Sequence, residues 1–249
     1  MKRVTNVLLL LVFFAVSSGE GAQVIRVTPR IINVIAHDTA AFTQGLLYHD
    51  GLIFESTGLV GQSSLRSIDP KSGSVVKKIP IPDLFAEGLT CMGSELVQLT
   101  WQDRIAIVYS LPGLSQNGSY RYDGEGWGLT SDSSSFIMSN GSDTLYVRSK
   151  TFDIRKKIPV TLRGEPLSNL NELEYVHGIV YANVWHSNDI VAISVKTGCV
   201  ERVIDCKNLV HEAAILNSEH VLNGIAYNPK SKTFFLTGKK WPVMFEVRW

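Results

Sequence analysis

The sequence predicts an all-β chain folded as a single five-bladed β-propeller of four-stranded antiparallel blades. Three observations carry this. A short motif recurs five times, with one large polar or aromatic residue before a small turn residue and an apolar strand start; that position reads Gln44, Glu87, Trp127, Asn171 and Asn223. Successive recurrences lie 43, 40, 44 and 52 residues apart, a period that suits one blade of four strands. The last unit ends at Trp249 with three strands, while a β-rich run without a partner, Arg30 to Ala36, precedes the first. Pairing that run with the last unit closes the ring and removes the edges that would otherwise invite aggregation.

Taken in order, residues 1–22 read as a secretory signal peptide. Lys2 and Arg3 precede the apolar run Val7 to Val16, and the small residues Ser17, Ser18 and Gly19 follow. The run is too short to span a bilayer as a helix. An exported protein is expected, secreted or periplasmic, with no membrane association after cleavage and residues 23–249 as one domain.

The first unit carries Gly45 to Tyr48, a turn at Asp50-Gly51, then Leu52 to Gly58, Ser64 to Ile68 and Ser74 to Ile79, joined by turn chemistry suited to hairpins. The second has Glu95 to Trp101 and Ile105 to Tyr109. The third has Ser135 to Met138 and Thr144 to Arg148, and the fourth Ile179 to Trp185 and Ile190 to Ser194. The fifth has Phe234 to Gly238 and Met244 to Val247. The long last interval holds Asn208 to Leu216, whose Leu209, Val210, Ala213 and Leu216 suit one short inserted helix.

Composition excludes some functions. The net charge is +1 and the basic pairs are scattered, so no nucleic-acid partner is expected. Six histidines show no zinc-ligand spacing. Cys199 and Cys206 flank a strand that holds them about 23 Å apart at roughly 3.3 Å per residue, beyond the reach of a disulfide. Three unpaired cysteines are expected, at least one of them buried. Asn117-Gly118-Ser119 and Asn140-Gly141-Ser142 fit the glycosylation pattern in expected turns.

In a propeller the five motif positions converge at one mouth of the central channel. A second ring follows at Thr57-Gly58, Thr100-Trp101, Asn183-Val184-Trp185 and Thr237-Gly238-Lys239. Together they predict an aromatic-walled pocket with Gln44, Glu87, Asn171, Asn223 and Lys239 as its polar groups, the composition of a small-ligand site. Singly, the amides can serve turn backbone and the tryptophans can be blade contacts. Glu87 is harder to explain so, because an unpaired carboxylate among aromatics is costly. Glu172 and Glu174 are either structural partners or rival acids.

Phe42-Thr43-Gln44-Gly45-Leu46, Phe85-Ala86-Glu87-Gly88-Leu89-Thr90, Leu99-Thr100-Trp101, Gly126-Trp127-Gly128-Leu129, Asn171-Glu172-Leu173-Glu174, Ala182-Asn183-Val184-Trp185, Leu222-Asn223-Gly224-Ile225 and Thr237-Gly238-Lys239-Lys240-Trp241 resemble, in order, the plant and bacterial glutaminyl-peptide cyclotransferases. The resemblance implies a five-bladed propeller that converts N-terminal glutamine of peptides or proteins to pyroglutamate, releasing ammonia without metal or other cofactor. It places the catalytic glutamate on Glu87 and the substrate-holding glutamine on Gln44, beside Phe42 and Phe85. The pocket tryptophans fall on Trp101, Trp127 and Trp185, and the asparagine and lysine on Asn171 and Lys239, with Lys240 one residue of slip away. A monomer is expected. Chemically, Glu87 would carry a proton from the attacking amine to the departing nitrogen, while Lys239 and Asn171 donate to the oxyanion. Two alternatives stand beside this. One is a metal-dependent, lactonase-like propeller holding Ca²⁺ through Glu87, Asn171 and Asn223; the other is a non-enzymatic propeller binding peptides or sugars on aromatic platforms.

Overall fold

The computed structural model describes residues 24–249; the expected signal peptide, residues 1–22, lies outside them. Five antiparallel sheets follow one another around an axis. Their innermost strands are Thr43–His49, Ala86–Met92, Leu129–Ser131, Leu170–Val176 and Leu222–Asn228, each the first of its blade. Adjacent blades share an apolar core at each of the five interfaces. Leu47, Phe54 and Leu65 of blade 1, for instance, meet Leu89, Leu96 and Ile107 of blade 2.

Closure occurs as the strand count requires. Arg30–Ala36 pairs antiparallel with Val243–Arg248 and completes the outer edge of blade 5. A further strand, Ile25–Val27, adds in parallel to Val200–Asp205, giving blade 4 a fifth strand. Arg26 anchors it through Asp189 at 2.7 Å and Asp205 at 2.8 Å. The sequence reading did not include this strand, since three residues carry no periodicity.

The inserted helix is shorter than expected. It spans Lys207–Glu212, with Leu209 fully buried. Ala214 then takes a left-handed φ of 52°, which ends the helix, and Leu216 points fully into solvent instead of onto the core. Asn117 also departs from expectation, lying in the outer strand Ser115–Arg121 at an irregularity of its pairing rather than in a turn. Among the described residues the three cysteines are free, with Cys206 buried. No helix among the described residues is long and apolar enough to cross a membrane.

Near the axis the inner strands approach so closely that side chains do not fit. A Cβ on Gly45 would collide with Leu89 N, on Gly88 with Leu129 N, and on Gly128 with the Asn171 carbonyl oxygen. The equivalent residue of blade 4 is Glu172, whose fully buried carboxylate accepts Leu46 N–H at 3.1 Å and Ile225 N–H at 2.8 Å. One side chain thus ties blade 4 to blades 1 and 5 through backbone donors that the ladders leave free. Glu174 accepts Tyr227 N–H at 2.8 Å. Both glutamates are structural partners.

Candidate active site

In four of the five blades the motif position is where the inner strand breaks register. Pairing shifts between Thr43 and Gly45, Ala86 and Leu89, Leu170 and Leu173, and Leu222 and Ile225. Such a bulge re-aims the side chain it carries, and here it turns Gln44, Glu87, Asn171 and Asn223 out of the ladder. In blade 3 the inner strand starts only at Leu129, and Trp127 precedes it.

The result is a cavity of about 240 Å³ lined by Phe42, Gln44, Phe85, Glu87, Trp101, Trp127, Asn171, Trp185 and Lys239. The nine residues that the family resemblance places at the site all line it, but Asn223, expected among its polar groups, does not. It lies fully buried behind Gln44, where its Nδ2 donates to the Thr43 carbonyl at 2.9 Å and to Gln44 Oε1 at 3.3 Å. Gln44 Nε2 in turn donates to Glu87 Oε1 at 2.8 Å. Asn223 therefore sets the sense of the Gln44 amide, and Gln44 holds the carboxyl as well as lining the cavity.

Rings from four blades make the walls. Phe42 meets Phe85 edge-on at 6.1 Å, Phe85 meets Trp101 at 5.6 Å, and Trp127 meets Trp185 at 5.5 Å. Lys239 Nζ lies 4.6 Å from the Phe42 ring centroid, a cation–π contact. The lysine doublet is thereby resolved. Lys239 is 6% exposed and faces the cavity, whereas Lys240 turns away at a left-handed φ of 59°. Its N–H donates to the Ala41 carbonyl at 2.7 Å and helps hold the Phe42 segment. Below that segment a buried His37–Glu55 pair at 2.9 Å, joined by Thr43 Oγ1 at 2.7 Å, fixes blade 1 against blade 5.

Burial dominates the electrostatics. It pushes the Glu87 carboxyl well above the usual carboxylate range; Lys239 opposes this, Glu125 adds to it and the Gln44 donor opposes it. Burial likewise lowers Lys239, against the attraction of Glu87. Asn171 Oδ1 is buried without a hydrogen-bond partner, an acceptor that a ligand N–H would satisfy. A carboxyl raised by burial, a lysine and an unsatisfied amide within aromatic walls can bind a small polar group and move its proton. No group of three or more His, Cys, Asp or Glu side chains among the described residues is arranged to hold a metal ion.

Sequence reasoning missed Glu125, whose carboxylate accepts the indole N–H of both Trp101 and Trp127. It belongs to no repeat position, and its spacing of two from Trp127 was the only signal.

Comparison with known proteins agrees with this geometry. A family model described as glutamine cyclotransferase matches residues 5–249. The chain is 38% identical over 229 residues to a glutaminyl-peptide cyclotransferase of Arabidopsis thaliana, covering 87% of this chain and 71% of that protein. Its structure superposes on the crystal structure of Myxococcus xanthus glutaminyl cyclase with a TM-score of 0.87 at 41% identity, covering 91% of this chain and 98% of the other. With family match, relative and propeller all in agreement, the chain belongs to the glutamine cyclotransferase family.

Proposed function

We propose that the chain is a glutaminyl-peptide cyclotransferase that converts N-terminal glutamine of peptides and proteins to pyroglutamate with release of ammonia. The observation that carries this is the buried Glu87, held by Gln44 and facing Lys239 across an aromatic-walled cavity. The volume of about 240 Å³ is below the roughly 300–1,000 Å³ of drug-sized sites. It suits one terminal residue, with the rest of the peptide outside.

The substrate's α-amine attacks the carbonyl carbon of its own side-chain amide. A new C–N bond closes the five-membered ring, the original C–N bond breaks, and ammonia leaves. A free α-amine has a pKa of about 7.7–8.0, so a useful fraction is neutral near pH 7.5 and the nucleophile needs neither a strong base nor a metal. The walls hold the side chain curled, which makes attack effectively unimolecular and correctly oriented. Lys239, aided by the Asn171 amide, donates to the developing oxyanion. The unpartnered Asn171 Oδ1 accepts an N–H of the substrate. Glu87 takes the proton that the attacking nitrogen sheds and delivers it to the departing one.

The test is ammonia release from Gln-Xaa dipeptides, run with and without a chelator, with pyroglutamyl product identified by mass spectrometry. Wild-type turnover insensitive to the chelator is expected; absence of ammonia release sinks the reading. Residues 1–22 act as an export signal in this proposal, and the mass of the mature N-terminus tests that.

A further inference from the structure

A tryptophan wall presents its face to a ligand most effectively when its one polar atom, the indole N–H, is satisfied elsewhere. Trp101 and Trp127 belong to different blades, yet both indoles end on one atom. Glu125 Oε2 accepts Trp101 Nε1–H at 2.8 Å and Trp127 Nε1–H at 3.0 Å. The other oxygen, Oε1, accepts from Gln102 Nε2 at 3.0 Å. Glu125 lies on the connection between the outer strand of blade 2 and the inner strand of blade 3, and that connection is itself pinned. Gly126 N–H donates to the Trp101 carbonyl at 2.9 Å, Tyr122 N–H donates to the Arg104 carbonyl at 3.1 Å, and the Tyr122 hydroxyl donates to the Thr100 carbonyl.

Trp101 needs such an anchor. It is 36% exposed, and its ring has one aromatic neighbour, the edge contact with Phe85. Hydrogen bonds to an ionised acceptor are stronger than neutral ones. Glu125 is kept ionised: burial acts to push its carboxyl up, but the donors from Trp127, Gln102 and Trp101 together hold it below the usual range.

We propose that Glu125 is a positioning residue for cyclisation: one carboxylate clamps the Trp101 and Trp127 walls from two blades around the curled glutamine side chain. This rests on the cyclotransferase reading of the site. The clamp also sets a fixed negative charge at the cavity mouth, whose field opposes ionisation of Glu87. The other groups that bear on Glu87 are Lys239, Gln44 and Tyr122, and the variants below leave all three in place.

Glu125→Ala removes clamp and charge together. Glu125→Gln removes the charge alone, because its amide oxygen can still accept both indoles and the exposed Gln102 can turn its own amide to match. In Glu125→Ala the near-UV circular dichroism of tryptophan should weaken while far-UV ellipticity is retained, and KM for a Gln-peptide should rise by about tenfold or more for the lost charge-assisted bonds. In Glu125→Gln, which keeps both indole bonds without their charge assistance, the near-UV spectrum should return to that of wild type and KM should rise by no more than about fivefold, about 1 kcal/mol. The acid limb of kcat/KM should meanwhile move to lower pH. Wild-type spectrum and KM in Glu125→Ala overturn the clamp, as does equal impairment of both variants. The spectra require no turnover, so they still decide the clamp if the wild type releases no ammonia, an outcome that defeats the functional reading instead.

Discussion

Replacing Glu87 with glutamine keeps the shape of the site and removes only its titratable proton. The amide oxygen of the new side chain can accept from Gln44 Nε2 as Glu87 Oε1 does at 2.8 Å, so the wall should not shift. What disappears is the group that carries a proton between two nitrogens. That role is typically worth about 10²–10⁴ in rate, or about 3–5 kcal/mol at 1.36 kcal/mol per decade. Stability should move the other way. Burial pushes the Glu87 carboxyl well up, so placing it in the fold costs stability above the unfolded carboxylate pKa, and glutamine relieves that penalty. The expected outcome at pH 7.5 is a fall of about 10²–10⁴ in kcat for ammonia release from Gln-peptides, with an unchanged or higher melting temperature. A folded variant turning over within about threefold of wild type, a loss of well under 1 kcal/mol, would refute the shuttle.

Lys239→Met keeps bulk against Phe42 and deletes the oxyanion donor, so kcat should fall by about 10²–10³ with a smaller change in KM, read from steady-state rates. Glu172→Ala strands the N–H groups of Leu46 and Ile225, at about 1–3 kcal/mol each, and urea unfolding should show a loss of that order. Thermal stability should fall as pH rises between about 5 and 8. Burial lifts Glu174 to about 8 and pushes Glu87 and Glu172 well up. Each therefore contributes stability that is complete below the unfolded value of about 4.3 and is lost as pH climbs through the folded one. His37 acts in the same direction, because Glu55 outweighs the burial that would lower it. Asp38 and Glu55 are held low and matter on the acid side, where their contribution is lost as pH falls. Melting temperatures at pH 5.5 and 8 check the sign, and Glu174→Gln should flatten the slope.

The parts of the molecule legible in the sequence are those written five times. Period, blade count and closing strand follow from laying Gln44, Glu87, Trp127, Asn171 and Asn223 in register; that ring and the second one at the strand ends supply seven of the nine cavity-lining residues, and Phe42 and Phe85 came from the family resemblance. Family resemblance then assigned chemistry to them. The rest depends on contacts without a periodic trace. Ile25–Val27 becomes a strand through Arg26 and two aspartates more than 160 residues away in sequence. The helix stops at Glu212 although its apolar spacing continues to Leu216, since the connection must turn at Ala214 to reach the axis. Asn223 looked equivalent to the cavity residues, but in the fold its Nδ2 is committed to the Thr43 carbonyl and Gln44 Oε1.

The residue after the motif position shows how architecture and chemistry divide the axis between them. Gly45, Gly88, Gly128 and Gly224 occupy it in four blades and Glu172 in the fifth. The glycines at 45, 88 and 128 let backbones approach within a distance that a methyl group would forbid. Four glycines and one more would leave the centre without a side chain and the free N–H groups of blades 1 and 5 without acceptors. A single carboxylate resolves both, because its two oxygens reach Leu46 and Ile225 in one plane. Asn183, fully buried, does the same for Gly224 N–H at 2.9 Å. The axis thus holds a buried carboxylate and a buried amide, each bonded to backbone N–H groups of neighbouring blades. The departure of blade 4 from the repeat helps make the ring one support, on which the departures at Gln44, Glu87, Trp127 and Asn171 can act as one site.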